Sequence, residues 1–80
     1  MAVSAYILME AEGGKAGNAC ITIRNIPGVK SVEAVTGLFD IIALTQADDL
    51  ERLGELVVSK IQAVDGIRKT QTAVVVPLEK

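Results

Sequence analysis

The sequence predicts an α+β domain with the element order β-α-β-β-α-β, and three observations support this prediction. Apolar residues alternate with other residues in several short segments, which is typical of strands, and they recur at helical spacing in two segments between those strands. Each helical segment ends at a glycine, Gly28 in the first half and Gly66 in the second. The two halves therefore repeat one pattern of strand, helix, glycine stop and strand.

The first half contains a strand followed by a helix. We predict the strand over residues 2–10, where alternate positions are apolar and therefore share one face. The members of that face are Val3, Ala5, Ile7 and Met9. Residues 15–26 have the spacing of an amphipathic helix, and Pro27-Gly28 ends it, because proline cannot continue a helix and glycine accepts the left-handed conformation that follows one.

A β-hairpin follows the first helix. Its predicted strands cover residues 29–36 and 39–45. Gly37 lies between them and most simply supplies the positive φ of a tight turn.

The second helix is predicted to run to about residue 63. Asp48 is its expected N-cap, with Glu51 as the partner in a capping box. Its apolar stripe consists of Leu50, Leu53, Val57 and Ile61. After the stop at Asp65-Gly66, a last strand is predicted over residues 67–77.

Short connections and right-handed crossovers arrange these elements as a ferredoxin-like fold, a four-stranded antiparallel sheet with two helices on one face. In this arrangement we expect the third strand to run parallel to the first, and the fourth to run antiparallel to it. The other sheet face then has no cover, although 50% of the residues are hydrophobic. A bare apolar face implies a second sheet packed against it, so we expect a homodimer or a higher oligomer. The apolar residues that either face can hold are Tyr6, Leu8, Val32, Ile42, Leu44, Val74 and Val76.

Composition excludes several classes of function. The chain has 8 basic and 10 acidic residues, a net charge of −2 and no cluster of Lys and Arg, so we expect no direct nucleic-acid binding. It has no His and one Cys, which excludes His-dependent nucleophilic catalysis, a Cys-x-x-Cys pair and an intrachain disulfide. We expect neither a metal nor an organic cofactor. Because there is no signal-peptide pattern and no apolar run near the roughly 20 residues that cross a membrane, we expect a cytoplasmic protein without membrane contact.

Three segments in order carry a family resemblance. They read IPGVKSV over residues 26–32, VTGLFDII over 35–42 and VDGIRKTQT over 64–72. This pattern resembles the ligand-binding (RAM) domain of the Lrp/AsnC transcription regulators, and the resemblance extends over residues 6–76. Typical members carry an N-terminal helix-turn-helix before this domain, whereas here the first strand begins at once. The resemblance therefore implies a stand-alone RAM-like domain over residues 1–80 that does not bind DNA itself.

The resemblance also implies a function. Such domains form dimers that assemble further and often bind an amino acid between subunits. We therefore expect a regulatory domain that binds an amino acid or a related metabolite and modulates transcription or amino-acid metabolism. Its expected partners are further copies of itself and, through mixed oligomers, a full-length Lrp/AsnC regulator. Two alternatives stay open: a structural oligomer without a ligand, and a small enzyme on a dimeric α/β-barrel.

Four residues are candidates for ligand contacts: Gly37, Asp40, Thr70 and Thr72. Asp40 interrupts an apolar strand, and its carboxylate can accept hydrogen bonds from a ligand ammonium or from backbone that shapes the site. The simpler interpretation is that Asp40 lies at a solvent-exposed end of the hairpin. The two threonine hydroxyls share one strand face and can hold a ligand carboxylate, although threonine is also a common strand residue. From the expected strand directions, Asp40 and Thr70 lie at opposite ends of the sheet, about 15 Å apart. A site that uses both must then be shared between subunits.

Overall fold

The computed structural model describes residues 2–78 and confirms the predicted fold class and order of elements. The four strands form one sheet in the order β2-β3-β1-β4, and each adjacent pair is antiparallel. The elements are β1 (Val3–Ala11), α1 (Ala16–Arg24), β2 (Val29–Ala34), β3 (Ile41–Ala47), α2 (Leu50–Glu55), a π-helical segment (Leu56–Ile61) that continues α2, and β4 (Ile67–Val74).

The predicted direction of the third strand is wrong. β3 runs antiparallel to β1, as β4 does, so β3 and β4 start at the same end of the sheet. The physical reason lies in the connections: a helical crossover returns β2 parallel to β1, and the hairpin between β2 and β3 then reverses the chain. Met9 consequently lies opposite both Ile41 of β3 and Thr70 of β4.

The core lies between the two helices and one face of the sheet. The predicted face of β1 supplies Ala5, Ile7 and Met9, which are completely buried. Val32, which the sequence assigned to neither face, is also buried there. The main partners of these side chains are Ala19, Ile23, Ile41, Ala43, Leu53, Leu56, Val57 and Ile61. The opposite face of the sheet is not covered by any helix of the described chain.

The second helix begins one residue later than predicted. Asp49, not Asp48, is the N-cap, because its backbone is extended and its carboxylate accepts a hydrogen bond from the Arg52 N–H at 2.7 Å. The stripe prediction is also wrong at its first position, since Leu50 is 64% exposed. Leu50 follows the cap directly and lies beside β4, where nothing in the described chain covers it.

The continuation of this helix is wound more widely than an α-helix. The Gln62 N–H donates to the Val57 carbonyl at 2.8 Å, five residues back along the chain. The wider turn brings both Leu56 and Ile61 into the core. It also sets the position of Gln62, which follows the last π-helical residue and faces β4.

The two glycine stops are equivalent in structure as well as in sequence. Gly28 and Gly66 have φ values of +98° and +95°, which L-residues with a side chain rarely adopt. Gly66 has a second constraint, because a Cβ there would lie 2.7 Å from the Cβ of Lys15. Strand bounds differ from the prediction by a few residues: β2 ends at Ala34 and β4 at Val74.

Candidate ligand-binding site

A groove runs between α2 and the edge strand β4, and we call it the α2–β4 groove. Its volume is about 390 Å³, which lies within the range of small-molecule sites. None of the charged side chains among residues 2–78 lines it. Its lining residues are Leu50, Leu53, Gly54, Val57, Val58, Gln62, Thr70 and Thr72.

The structure brings Thr70 and Thr72 together on one wall of this groove. They lie opposite Met9 and Ile7 of β1, so both threonines share the sheet face on which the helices pack. The Gln62 side-chain amide donates a hydrogen bond to Thr70 Oγ1 at 2.8 Å. The Thr70 hydroxyl proton is then available as a donor, and the Thr72 side chain is exposed to the groove.

The main chain of β4 adds further polar groups. β4 is at the edge of the sheet, so only one side of it is paired. The Val75 N–H donates to the Ser4 carbonyl of β1, and main-chain groups of an antiparallel strand alternate in direction. The N–H and C=O groups of Thr70 and Thr72 therefore point away from β1 and toward solvent.

A second, smaller hollow adjoins the groove at the start of β4. It has a volume of about 330 Å³ and is lined by Gln62, Ile67, Arg68, Lys69 and Thr70. Gln62 and Thr70 line both spaces, so their hydrogen bond forms the boundary between an apolar groove and a basic hollow. Arg68 also pairs with Glu10 across the sheet, with 2.7 Å between Nη2 and Oε1.

Asp40 lies across β1 from the threonines and is bonded to backbone. Its Oδ2 accepts a hydrogen bond from the Ala11 N–H at 2.8 Å, and its own N–H donates to the Met9 carbonyl at 2.8 Å. The Ala11 N–H lies beyond Met9 and Ile41, the last register pair of β1 and β3, so the carboxylate satisfies a main-chain donor that the β1–β3 ladder leaves unpaired.

The predicted separation of Asp40 and Thr70 is wrong. Both flank the carboxyl end of β1, and two strand spacings of about 4.8 Å put them roughly 10 Å apart. The earlier estimate followed from the wrong direction of β3. Distance therefore gives no reason for a site that uses both residues to be divided between subunits.

Gly37 lies in the loop of the β2–β3 hairpin. Its φ is +125°, which confirms the positive φ predicted for a tight turn. A Cβ there would meet no atom within 4 Å. The neighbouring Leu38 is 90% exposed. Neither Gly37 nor Asp40 lines the α2–β4 groove.

Sequence reasoning missed most of the groove. Leu50 was assigned to the core, and Gly54, Val58 and Gln62 were assigned no role. Gln62 could not be found from local pattern, because its partner Thr70 lies beyond the glycine stop and its position depends on the π-helical turn. The spacing of Leu50, Gly54 and Val58, four residues apart, was the one available signal for a second helix face.

A larger hollow of about 650 Å³ lies on another side of α2 and its π-helical continuation, beside the α1–β2 turn. Acidic and basic side chains line it together, including Asp48, Arg52, Glu55 and Lys60. Each of these side chains is exposed, and the hollow contains none of the four predicted site residues. We therefore consider the α2–β4 groove, which has one polar wall and one apolar wall, the better candidate for a ligand-binding site.

The remaining chemically notable groups of the described residues lie outside the groove. Among residues 2–78 there is no cluster of His, Cys, Asp or Glu side chains that could hold a metal ion. Burial raises the pKa of the Cys20 thiol, which favours its protonated form. Asp65, and then Glu12, raise the pKa of the exposed Lys15 ammonium through ion pairs. No helix in the described part of the chain is long and apolar enough to span a membrane.

Comparison with known protein families identifies the family of this chain. The model of the Lrp/AsnC ligand-binding domain matches residues 4–78. The chain belongs to the Lrp/AsnC ligand-binding domain family. An HTH-type transcriptional regulator of Pyrococcus abyssi is 30% identical over 78 residues, which are 98% of this chain and 49% of that protein. Nearly all of this chain matches these curated relatives, but it spans only about half of their length.

Solved structures of this fold agree with the family match. The crystal structure of FFRP-DM1 is 30% identical, has a TM-score of 0.88 and covers 92% of this chain and 99% of its own. A transcriptional regulator of Neisseria meningitidis in complex with L-Met has a TM-score of 0.85 at 21% identity, covering 98% of this chain and 52% of its own. The curated relatives that the chain matches over 98% of its length are HTH-type transcriptional regulators.

Proposed function

We propose that this Lrp/AsnC ligand-binding domain binds an amino acid in the α2–β4 groove and acts as an oligomeric regulatory domain. The observation that carries the proposal is the threonine wall. Thr70 and Thr72 present hydroxyls and outward main-chain groups beside a groove of small-molecule size. A zwitterion needs donors for its carboxylate and acceptors for its ammonium, and an unpaired strand edge offers both.

The nature of the relatives supports a regulatory role. The matched curated proteins are HTH-type transcriptional regulators, and the Neisseria regulator with the same fold was crystallised with L-Met. We propose that this domain likewise modulates transcription or amino-acid metabolism. With a net charge of −2, it would do so without contacting DNA itself. A full-length Lrp/AsnC regulator is a proposed partner through mixed oligomers.

We also propose that the uncovered sheet face joins two copies of the chain. Strand parity puts Tyr6, Leu8, Ile42 and Leu44 side by side on that face. Tyr6, near the centre of this face, is 46% exposed, and a contiguous apolar surface patch often marks a protein contact. Two such faces can pack at about 10 Å as a sandwich.

Thermal unfolding with each of the twenty amino acids at millimolar concentration tests ligand binding. A ligand at 100 times its Kd adds about 2.7 kcal/mol of stability, so one amino acid should raise the Tm by roughly 10 °C or more in a domain of this size. Thr72→Val should reduce that shift without lowering the unliganded Tm, because Thr72 is exposed. If no amino acid shifts the Tm, a structural oligomer without a ligand becomes the better description.

Molar mass in solution tests the sheet-face contact. Tyr6→Glu should convert the oligomer to smaller species, because it buries a charge at the proposed interface. Ile21→Glu is the matched control, since Ile21 is a 57% exposed apolar residue of α1, remote from that face. Equal masses for both variants and the parent chain would show that the sheet face is not the contact.

A further inference from the structure

We propose that α2 and its π-helical continuation form a contact face for a second copy of this chain, which lies antiparallel across a two-fold axis. This contact is separate from the uncovered sheet face and does not depend on a ligand in the α2–β4 groove. The face consists of four charged side chains around the large hollow beside the α1–β2 turn, and we call it the α2 charge face. Its members are Asp48, Arg52, Glu55 and Lys60.

Opposite charges lie side by side on the α2 charge face without pairing. All four side chains are exposed and line one hollow, so they share one side of α2. Arg52 and Glu55 are three residues apart in α2, a spacing at which opposite charges on a helix commonly pair. Nevertheless, none of the four side chains takes part in an ion pair among residues 2–78, since those pairs join only Glu10, Glu12, Lys15, Asp65 and Arg68. Their charges are therefore available to a partner.

The order of these charges is self-complementary. Along the chain it is acidic, basic, acidic, basic, so a second copy in the reverse direction presents basic, acidic, basic, acidic. The midpoint between Asp48 and Lys60 is position 54, and the midpoint between Arg52 and Glu55 lies between positions 53 and 54. A difference of half a residue is less than about 1 Å of helix rise. One two-fold axis near Gly54 therefore brings every charge of the face opposite a charge of the other sign.

This symmetry is the reason to choose a second copy as the partner. Each pair occurs twice about the axis, so the contact would contain four ion pairs. A single exposed ion pair contributes little, but a complementary set of charges selects the partner and fixes its register. Pro27 and Ala47 line the same hollow and add apolar surface between the two copies. An unrelated partner would have to carry the matching alternation, whereas a second copy carries it by symmetry.

Reversing the two central charges tests this proposal in the full chain. Arg52→Glu makes the centre of the face acidic and Glu55→Arg makes it basic, so each variant repels its own copies. We expect each substitution to weaken self-association at least about tenfold, measured as molar mass by sedimentation equilibrium at about 0.1 M salt. An equimolar mixture of the two variants should regain the mass of the parent chain, because an acidic centre then meets a basic one. In about 1 M salt, where the Debye length falls from about 10 Å to about 3 Å, the parent chain should associate less.

Arg24→Glu is the matched control. Arg24 is an exposed basic residue in the last turn of α1 that does not line the hollow, so its reversal changes the net charge equally at another place. This variant should associate like the parent chain. Its mixture with Glu55→Arg should have no more than the mean mass of the two components, because the central charges of the two faces do not match.

Three results would overturn the proposal. The first is an equal molar mass for the parent chain, Arg52→Glu and Glu55→Arg. The second is an equimolar mixture of these two variants that gains no mass over its components. The third is an equal loss of association in Arg24→Glu, which would indicate general charge repulsion. None of these results bears on the proposed function, because the Tm shift with amino acids tests ligand binding and Tyr6→Glu tests the sheet face.

Discussion

Replacing Asp40 by alanine measures what this carboxylate contributes before any ligand is present. The substitution removes the acceptor of the Ala11 N–H and leaves that half-buried donor unpaired just beyond the end of the β1–β3 ladder. A hydrogen bond to a charged group contributes about 1.5–3 kcal/mol. Since 1 kcal/mol corresponds to about 4–8 °C in a domain of 60–100 residues, we expect Asp40→Ala to lower the Tm by roughly 6–24 °C.

The control for this experiment is Asp40→Asn, which retains an oxygen acceptor for the same N–H but removes the charge. We expect it to lose less than half as much stability as the alanine variant in urea unfolding at fixed protein concentration. Equal stability of Asp40→Ala and the parent chain would contradict a structural role for the bond. Equal losses in both variants would show that the charge, not the hydrogen bond to Ala11, is what matters.

Three further predictions follow from glycine geometry and from the two shifted pKa values. Gly66→Ala should destabilise more than Gly37→Ala in urea unfolding: both incur strain of about 1–3 kcal/mol at positive φ, but only Gly66 would also bring a Cβ to 2.7 Å from the Cβ of Lys15. The raised pKa of Lys15 means that its ion pairs stabilise the fold fully below the unfolded-state pKa of about 10.4 and progressively less as pH rises through the folded-state value. The stability difference between the parent chain and Lys15→Met should therefore shrink above that pH, and a difference that grows there would contradict the assignment. Because burial raises the pKa of Cys20, an aromatic disulfide reagent at pH 8 should modify the folded chain much more slowly than the urea-unfolded chain, and equal rates would indicate an accessible thiol.

Local patterns predicted the elements well because each signal acts over a few residues. Alternation identified the buried face of β1, and the glycine stops predicted the two positions of positive φ at Gly28 and Gly66. The N-cap was displaced by one residue because two aspartates adjoin, and which of them has an extended backbone depends on where β3 ends. Periodicity alone could not resolve that choice.

The site was harder to predict because its residues lie far apart in the sequence and come together only through the order and direction of the strands. The direction of β3 decides whether Asp40 and Thr70 lie at the same end of the sheet or at opposite ends. Because the predicted direction was wrong, the predicted distance between them was also wrong. The π-helical turn is not visible in an apolar stripe, since Leu53, Val57 and Ile61 have the same spacing in either winding. That turn sets Gln62 against Thr70, so the boundary of the groove depends on a feature that the pattern does not contain.

The end of β1 explains how the hairpin and the groove are held in a fixed relation. Asp40 bonds the Ala11 N–H on one side, and the Glu12 N–H donates to the Gly66 carbonyl at 2.8 Å on the other. Two successive residues of one strand end are thus tied to the start of β3 and to the start of β4. Because β4 carries the threonine wall, the carboxylate of Asp40 supports the groove through backbone without lining it. A loss of ligand affinity in Asp40→Ala would therefore not by itself identify Asp40 as a ligand contact, whereas a loss in Asp40→Asn at unchanged stability would.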